Sequence, residues 1–369
     1  MNAGQRMARV AAGAAAENVV YAARSWGWPA EIGQQGACGL SVMVAGGPLV
    51  AEAPAEERCE LPAALVCRTT NRRKYAGRAV EPRVVEELAG AAGGCDGVQV
   101  AWVVERRRVE ELGWRIGRAD GLLFGIEAAR RAFLENIRFD RPAREAVREG
   151  LSLASLEMGP TERLGLGTLR WMPQRLFQVL GLSRLFARRA EELVRSASGL
   201  FVILTRGWEA AGDFAVGQQM ERAWLALTSR GLAVQPMMSL PVLENMVQEG
   251  VIEAGGPLAA QVRQLATELC LMAAGSARER VAAVLRFGYA AEPSGRVGRR
   301  PVEEVLQAGQ AGGAQSTGPA VETEPPVATQ PAVATQPPVA TGPKAETRPK
   351  AAAGPAGPTG LVRAGAAGG

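Results

Sequence analysis

The sequence predicts a protein of mixed helices and strands, and three observations support this. The run from Ala215 to Met238 repeats apolar residues about every 3.6 positions, as a buried helix does, and it ends at Gly231 and Pro236. Residues 98–105, 200–205 and 281–289 are short apolar runs of the kind found in buried strands. From Gln307 onward alanine, proline, glycine and threonine dominate, so we expect a disordered tail at 307–369.

The other elements follow in chain order. Residues 8–28 predict a helix and turn, 39–45 predict a strand, and the acidic, proline-containing residues 51–60 predict a linker. Residues 106–148 predict two helices separated near Gly121, and 151–182 predict helical fragments that form a lid or excursion over a site. Further helices are predicted at 183–196, 240–249 and 257–274.

Two stretches share one design. In each, a glycine (Gly13, Gly217) opens the helix, a glutamate (Glu17, Glu221) follows four residues later, and a turn glycine closes it 14 residues after the first. Two alanine-rich helices can match in this way by coincidence. We favour a tandem pair of related half-units, with a partial half at residues 1–50.

The composition limits the partners. The chain of 369 residues has a net charge of +5 and a pI of about 9.2, and its positive charge comes mainly from arginine spread along the sequence. Anionic ligands such as phosphates explain this at least as well as nucleic acid does, and no alternation of aromatic and basic residues marks a single-strand binder. We therefore expect no nucleic-acid partner.

The residue types that are missing exclude several kinds of site. The chain has no histidine, which removes the usual imidazole base and most zinc sites, so we expect no metal. Its five cysteines have no CxxC spacing and are odd in number, which favours reduced thiols and a cytoplasmic location. The longest apolar run has seven residues, and the first residues do not resemble a signal peptide, so we expect no membrane partner.

Two basic segments are the candidates for binding an anion. Residues 68–74 combine arginines with threonine hydroxyls, and residues 295–300 combine arginines with glycines. The guanidinium fork matches phosphate oxygens bidentately, so the two segments would form one anion site if the fold brought them together. Alternatively, each is a solvated cap on a helix or strand end.

These residues resemble the nitroreductase family of flavin enzymes. The run Arg68-Thr69-Thr70-Asn71-Arg72, followed by Tyr75 and by a Val-Glu-Pro helix start, is similar to that family's opening motif. Residues 285–306 look like its closing strand, arginine turn and Pro-x-Glu-Glu helix, and residues 217–236 look like its core helix. The resemblance covers about residues 60–306, and the repeated helix at 13–29 is similar to the tandem, Acg-like members.

The resemblance implies an α+β sandwich in which a mainly antiparallel sheet is flanked by helices, with a nitroreductase-like domain at 61–306. It implies that FMN binds where two halves meet and itself carries the hydride, so no catalytic side chain is expected. NADH or NADPH would supply electrons to nitro or quinone compounds. The residues that the resemblance assigns to the flavin are Arg68, Thr70 and Arg72 for the phosphate and ribityl chain, Gly231 and Gln235 near the ring, and Arg299 and Arg300 for the phosphate.

One departure from the family leaves alternatives open. The place of its flavin-contacting Pro-Ser and Asn stretch is occupied by Gly90–Val98, which contains nothing of that kind. We expect that part of a first half is missing at the N-terminus, that a homodimer or partner chain completes it, or that the protein no longer holds flavin tightly. A degenerate protein that binds or stores flavin, an assembly subunit, and a fragment fused upstream to an adenylating ThiF-like module are the competing readings.

Several further side chains were weighed as functional. Glu17 and Glu221 are expected to pair with arginines rather than to act as acid or base. Trp171, Met172 and Trp224 are expected to be ordinary core residues. Cys67, beside Arg68, has no marks of a nucleophile.

Overall fold

The structure is a computed structural model that describes residues 3–35, 39–45, 63–139, 150–296 and 362–363. All of these described residues belong to one compact unit. The predicted linker at 51–60 and nearly all of the predicted tail lie outside the described residues.

The described helices are α1 (Ala3–Ser25), α2 (Pro82–Ala92), α3 (Arg106–Gly125), α4 (Glu127–Glu135), α5 (Pro160–Leu169), α6 (Gln174–Val179), α7 (Ser183–Arg195), α8 (Ala210–Ser229), α9 (Ser239–Gln248) and α10 (Pro257–Ala274). The strands are β1 (Ala30–Gln35), β2 (Gly39–Val44), β3 (Val98–Val103), β4 (Ile137–Arg138), β5 (Leu151–Ser152), β6 (Gly199–Thr205), β7 (Ala233–Pro236), β8 (Arg280–Gly288) and β9 (Val362–Arg363). Residues 63–67 form a further helical turn.

The central sheet has five strands in the order β7-β8-β6-β3-β9, and every neighbouring pair is antiparallel. Strand β6 lies in its middle and is buried along all seven residues, which explains its unbroken apolar sequence. Strands β1 and β2 form a separate antiparallel hairpin, and β4 and β5 form a two-residue parallel pair. The predicted α+β class with a mainly antiparallel sheet flanked by helices is confirmed.

Helices cover both faces of the sheet. On one face Trp102, Phe201 and Phe287 pack together, with ring centroids 4.6 Å and 5.6 Å from that of Trp102, and helices α2 and α8 lie over them. On the other face Leu200 and Val202 pack against α3, α9 and α10. Since side chains alternate along a strand, β3, β6 and β8 contribute to both cores.

Helix α1 packs against α8 at two glycines. A Cβ atom on Gly13 would overlap the carbonyl oxygen of Phe214, and one on Gly217 would overlap that of Val10. Both glycines lie inside their helices, so the prediction that they open them is wrong. They permit the two backbones to touch, which no larger residue would allow.

The ends of α1 and α8 repeat the same hydrogen bonds 204 positions apart. The Gly27 amide donates to the Arg24 carbonyl and the Gly231 amide to the Thr228 carbonyl, each over 2.9 Å, and both glycines have positive φ, 77° and 68°. Two further bonds are repeated in the same way. The Ser25 hydroxyl donates to the Ala22 carbonyl, as the Ser229 hydroxyl does to the Ala226 carbonyl. The Trp28 amide donates to the Ala23 carbonyl, as the Leu232 amide does to the Leu227 carbonyl.

Three features differ from the sequence-based expectations. The break in the helical pair after β3 falls at Ile126 rather than near Gly121, because Gly121 packs within α3 against Ala187, 3.0 Å from its would-be Cβ. Strands β1 and β7 were not predicted. Val362 and Arg363 pair with β3, although their surroundings in sequence predicted disorder.

Candidate functional site

Arg68, the first predicted ligand, forms an ion pair inside the protein. It follows the helical turn at 63–67, and its Nε lies 2.7 Å from Oε1 of Glu221, a buried residue of α8. Its guanidinium also lies over the Trp224 ring, 4.7 Å from the centroid. Both predicted carboxylates are thus paired with arginine, since Glu17 lies 2.7 Å from Arg222.

The chain after Arg68 joins the edge of the sheet. Thr70 forms a parallel bridge with Val234 of β7, and the Asn71 amide donates to the Val234 carbonyl over 2.9 Å. Thr70 therefore lies beside the strand that carries Gln235, another predicted ligand. Gly231, two residues before that strand, has the left-handed conformation expected of a helix cap and is exposed.

Arg286 of β8 is the residue that organises this region, and the sequence analysis missed it. It is fully buried, and burial lowers the pKa of its guanidinium to about 10. It donates to Oε1 of Gln235 over 2.8 Å, to the Arg73 carbonyl over 2.7 Å and to the Leu193 carbonyl over 3.0 Å. It also stacks over Tyr75 at 3.8 Å, and burial raises the pKa of that phenol to about 12.

A signal for Arg286 exists in the sequence. It is the single charge in the apolar strand Val281–Tyr289. A charge inside a buried strand needs several hydrogen-bond partners, and backbone carbonyls of a nearby loop are the usual ones. That loop is 71–75, which Arg286 fastens to the end of the sheet.

The segment that leads to the second basic cluster contacts the first. Asn71 Nδ2 donates to the Ala291 carbonyl over 2.8 Å, and Arg73 Nη2 donates to Ser294 Oγ over 2.6 Å. Ser294 in turn donates to Glu157 through both its amide and its hydroxyl. Arg299 and Arg300 lie outside the described residues, five and six positions after Ser294 in the sequence.

Arg72 is the predicted ligand that makes no ion pair among the described residues, although Glu157 is near enough to interact with its charge. Its Nη1 donates to the Ser155 carbonyl over 3.1 Å, and burial lowers the pKa of its guanidinium. Among the described residues no carboxylate lies within ion-pair distance of it, whereas Arg68 and Arg73 each have one. A partly desolvated guanidinium with spare donors is suited to an anionic group.

Of the two tryptophans predicted to lie in the core, one is buried and the other is exposed. Trp224 is buried as expected, but Trp171 is 81% exposed, so its assignment to the core is wrong. Gln219 and Arg222 of α8 donate to backbone carbonyls within residues 92–94, so the segment that lacks the Pro-Ser and Asn stretch is packed against that helix. Cys67 is exposed and free.

Within the described parts of the chain, no group of three or more Cys, Asp or Glu side chains could hold a metal ion. None of the helices described above combines the length and the apolar character that crossing a membrane requires.

No family model matches the chain, and no curated protein matches it at a significant level. Its fold is similar to solved structures of low sequence identity. The FMN-dependent nitroreductase of Mycobacterium smegmatis in complex with NADPH is 17% identical, with a TM-score of 0.35 over 67% of this chain and 97% of that one. A nitroreductase with bound FMN from Desulfitobacterium hafniense is 14% identical, with a TM-score of 0.36 over 67% and 97%. An iodotyrosine deiodinase bound to FMN and 3-iodo-L-tyrosine is 14% identical, with a TM-score of 0.35 over 66% and 96%.

Proposed function

We propose that the chain is an FMN-binding oxidoreductase of the nitroreductase type, in which NADH or NADPH reduces small nitro or quinone compounds. The observation that carries the proposal is the meeting of three segments around Arg286. The loop that bears Thr70 and Arg72, the strand that bears Gln235, and the segment that leads to Arg299 are linked there by hydrogen bonds.

The residues at this place fit a phosphate-bearing flavin. Arg72 supplies a partly desolvated cation without a carboxylate partner among the described residues, and a phosphate beside it would offset the cost of its burial. We propose that Thr70, Arg299 and Arg300 complete the phosphate and ribityl contacts. Gly231 and Gln235 would lie near the ring.

The protein's part in the reaction is to bind and orient. When bound, FMN supplies the chemistry of accepting and donating a hydride. Arg286 acts as a positioning residue, because it fixes the Gln235 side-chain oxygen and the Arg73 carbonyl in one arrangement. Arg68 supports the site from behind by fastening the start of the loop to Glu221.

We also propose that residues 1–50 are a partial second copy of the core, followed by a linker at 51–60 and the main domain at 61–306. The matched hydrogen bonds at the ends of α1 and α8 support a duplicated helix, as does their contact at equivalent glycines. A homodimer or a partner chain would complete the partial half. A cytoplasmic location belongs to the same proposal.

Flavin retention tests the proposal directly. Purified protein, reconstituted with FMN, should show flavin absorbance, and Arg72→Ala should weaken FMN binding about 10- to 100-fold, as loss of a charge-assisted hydrogen bond does. Arg83→Ala removes an exposed arginine of α2 and is the matched control. A colourless preparation that cannot be reconstituted would contradict the proposal. Arg68→Ala is a poor test, because it leaves Glu221 buried without its ion pair.

A second candidate is a protein that binds or stores flavin, or serves in assembly, without turnover. The pairing of Arg68 with Glu221 favours it, because this arginine's charge is already balanced by the protein. Anaerobic addition of NADH or NADPH separates the two. Bleaching of the flavin supports the enzyme, and bound flavin that stays oxidised supports the second candidate.

A further inference from the structure

The helical excursion between β5 and β6 carries an unusual surface, which we call the excursion surface and define as residues 160–189. Six large apolar side chains are exposed on it, among them Trp171 at 81% and Val179 at 84%. The others are Leu164, Leu176, Leu180 and Leu185. Six exposed large apolar side chains within 22 residues are more than the singly scattered ones that soluble proteins normally show, and such an accumulation is typical of an interaction site.

The same residues concentrate the positive charge of the chain. They contain six arginines and one glutamate, a net charge equal to that of the whole protein. Glu162 is paired with Arg189. The other five arginines are exposed, and no carboxylate of the described residues pairs with them: Arg163, Arg170, Arg175, Arg184 and Arg188.

The surface is held in place by its opposite side. Phe177 of α6 is buried, with the Arg130 guanidinium over its ring at 4.0 Å. Arg130 donates to Gln174 over 2.7 Å, and Gln174 donates to the Gly125 carbonyl over 2.9 Å. Leu166 of α5 is buried in a small separate cluster with Leu134, Ile137 and Leu156. The outward side chains therefore stand on helices that are fixed to the body of the protein.

We propose that the excursion surface binds an anionic phospholipid surface. Exposed leucine, valine and tryptophan can enter the interface between headgroups and acyl chains, while arginines around them contact the phosphates. The earlier expectation of no membrane partner rested on the lack of a long apolar run, which concerns spanning segments alone.

Two other partners fit the surface less well. A second copy of the chain, docked by a two-fold axis through the same patch, would set five unpaired arginines against five more. Nucleic acid would use the arginines, but it offers no apolar environment for valine and leucine side chains. An anionic lipid surface matches both components at once.

The test is sedimentation of the full chain with vesicles. Binding should be strong on phosphatidylcholine containing roughly 30% phosphatidylserine, weak on phosphatidylcholine alone, and reduced by salt. Arg175→Gln with Arg188→Gln should lower the partition coefficient about 25-fold, at about fivefold for each arginine. Trp171→Ser with Val179→Ser should lower it at least about tenfold.

Matched controls lie elsewhere on the surface. Arg83→Gln with Arg107→Gln removes two exposed arginines, and Val251→Ser with Leu271→Ser removes two exposed apolar side chains. Both control proteins should bind vesicles as the unaltered chain does. Equal binding to neutral vesicles, or binding that survives both excursion-surface double substitutions, overturns the proposal. So does a dimer that these substitutions dissociate, or an oligonucleotide bound more tightly than the vesicles.

Discussion

The contact between α1 and α8 predicts that Gly217→Ala destabilises the protein. The new Cβ would overlap the Val10 carbonyl oxygen and lie 2.9 Å from the Ala14 amide nitrogen, against about 3.5–4.0 Å for optimal non-bonded contact. Both neighbours are backbone atoms of a helix, so no side chain can rotate away. The two helices must separate, and the packing along their contact weakens.

The magnitude follows from two opposing effects. Forcing an extra methyl group into a packed contact costs about 1–3 kcal/mol, and a backbone neighbour places this site at the upper end. Alanine gains about 1 kcal/mol over glycine in a helix interior. We expect a net loss of about 2 kcal/mol in the free energy of unfolding, and a melting temperature lower by roughly 4–8 °C.

The control uses a glycine in a helix that touches nothing. A Cβ on Gly165 of α5 would meet no atom within 4 Å, so Gly165→Ala should raise stability by up to about 1 kcal/mol. Urea unfolding followed by circular dichroism measures both. Gly13→Ala tests the shared contact: once it has separated the helices, adding Gly217→Ala should cost less than it does alone. A Gly217→Ala protein as stable as the unaltered chain would refute the close contact.

Three further predictions concern buried charges. Asp213→Asn should lower the free energy of unfolding by about 3–5 kcal/mol, because three arginines surround this carboxylate, and a loss under about 1 kcal/mol in urea unfolding would contradict this. Burial raises the pKa of the Glu244 carboxyl to about 8, above its unfolded value, so its contribution to stability is complete below about pH 4 and is lost as the pH rises to 8. The fall in urea midpoint from pH 5 to pH 8 should therefore be shallower in Glu244→Gln, and an equal fall would count against the assignment. Arg286→Met should release the loop 71–75, so trypsin should cut at Arg72–Lys74 faster than in the unaltered protein, and an unchanged cleavage rate would show that other contacts hold the loop.

The sequence predicted the elements whose pattern is dominated by burial. Strands β3, β6 and β8 and helices α7, α9 and α10 lie close to their predicted bounds, because each has a continuous apolar run or a clear 3.6 periodicity. Helix α8 begins at Ala210, before its predicted start at Ala215. Strand β1 has one β-branched residue and β7 has four residues ending in Pro236, so neither gives a local signal. Strand β7 forms by pairing with β8, which is distant in the chain, whereas β1 forms by pairing with β2 in a hairpin.

Glycine was the residue most often misread. The sequence predicts helix ends at Gly13, Gly217 and Gly121, but all three lie inside helices where another helix comes close. Sequence alone cannot separate these uses, because both follow from the missing Cβ. Gly231, which ends its helix with φ of 68°, was read correctly.

The candidate site was predicted in part. The basic loop and the segment before Arg299 do meet, through Asn71, Arg73 and Ser294. The partners of Arg68 and Arg72 could not be predicted from the sequence, because Glu221 and Ser155 are brought to the loop only by the tertiary fold. The same holds for Arg286, whose acceptors come from three separate segments.

The close packing of α1 on α8 also has a consequence for synthesis of the chain. At about 5–20 residues per second, the first helix leaves the ribosome roughly 10–40 s before the helix that receives it has been translated. During that interval the residues of α1 that pack against α8, among them Val10, have no partner and are exposed to chaperones or to neighbouring nascent chains. Variants that slow elongation between the two helices would lengthen this exposure and lower the yield of folded protein, without altering the stability of the finished molecule.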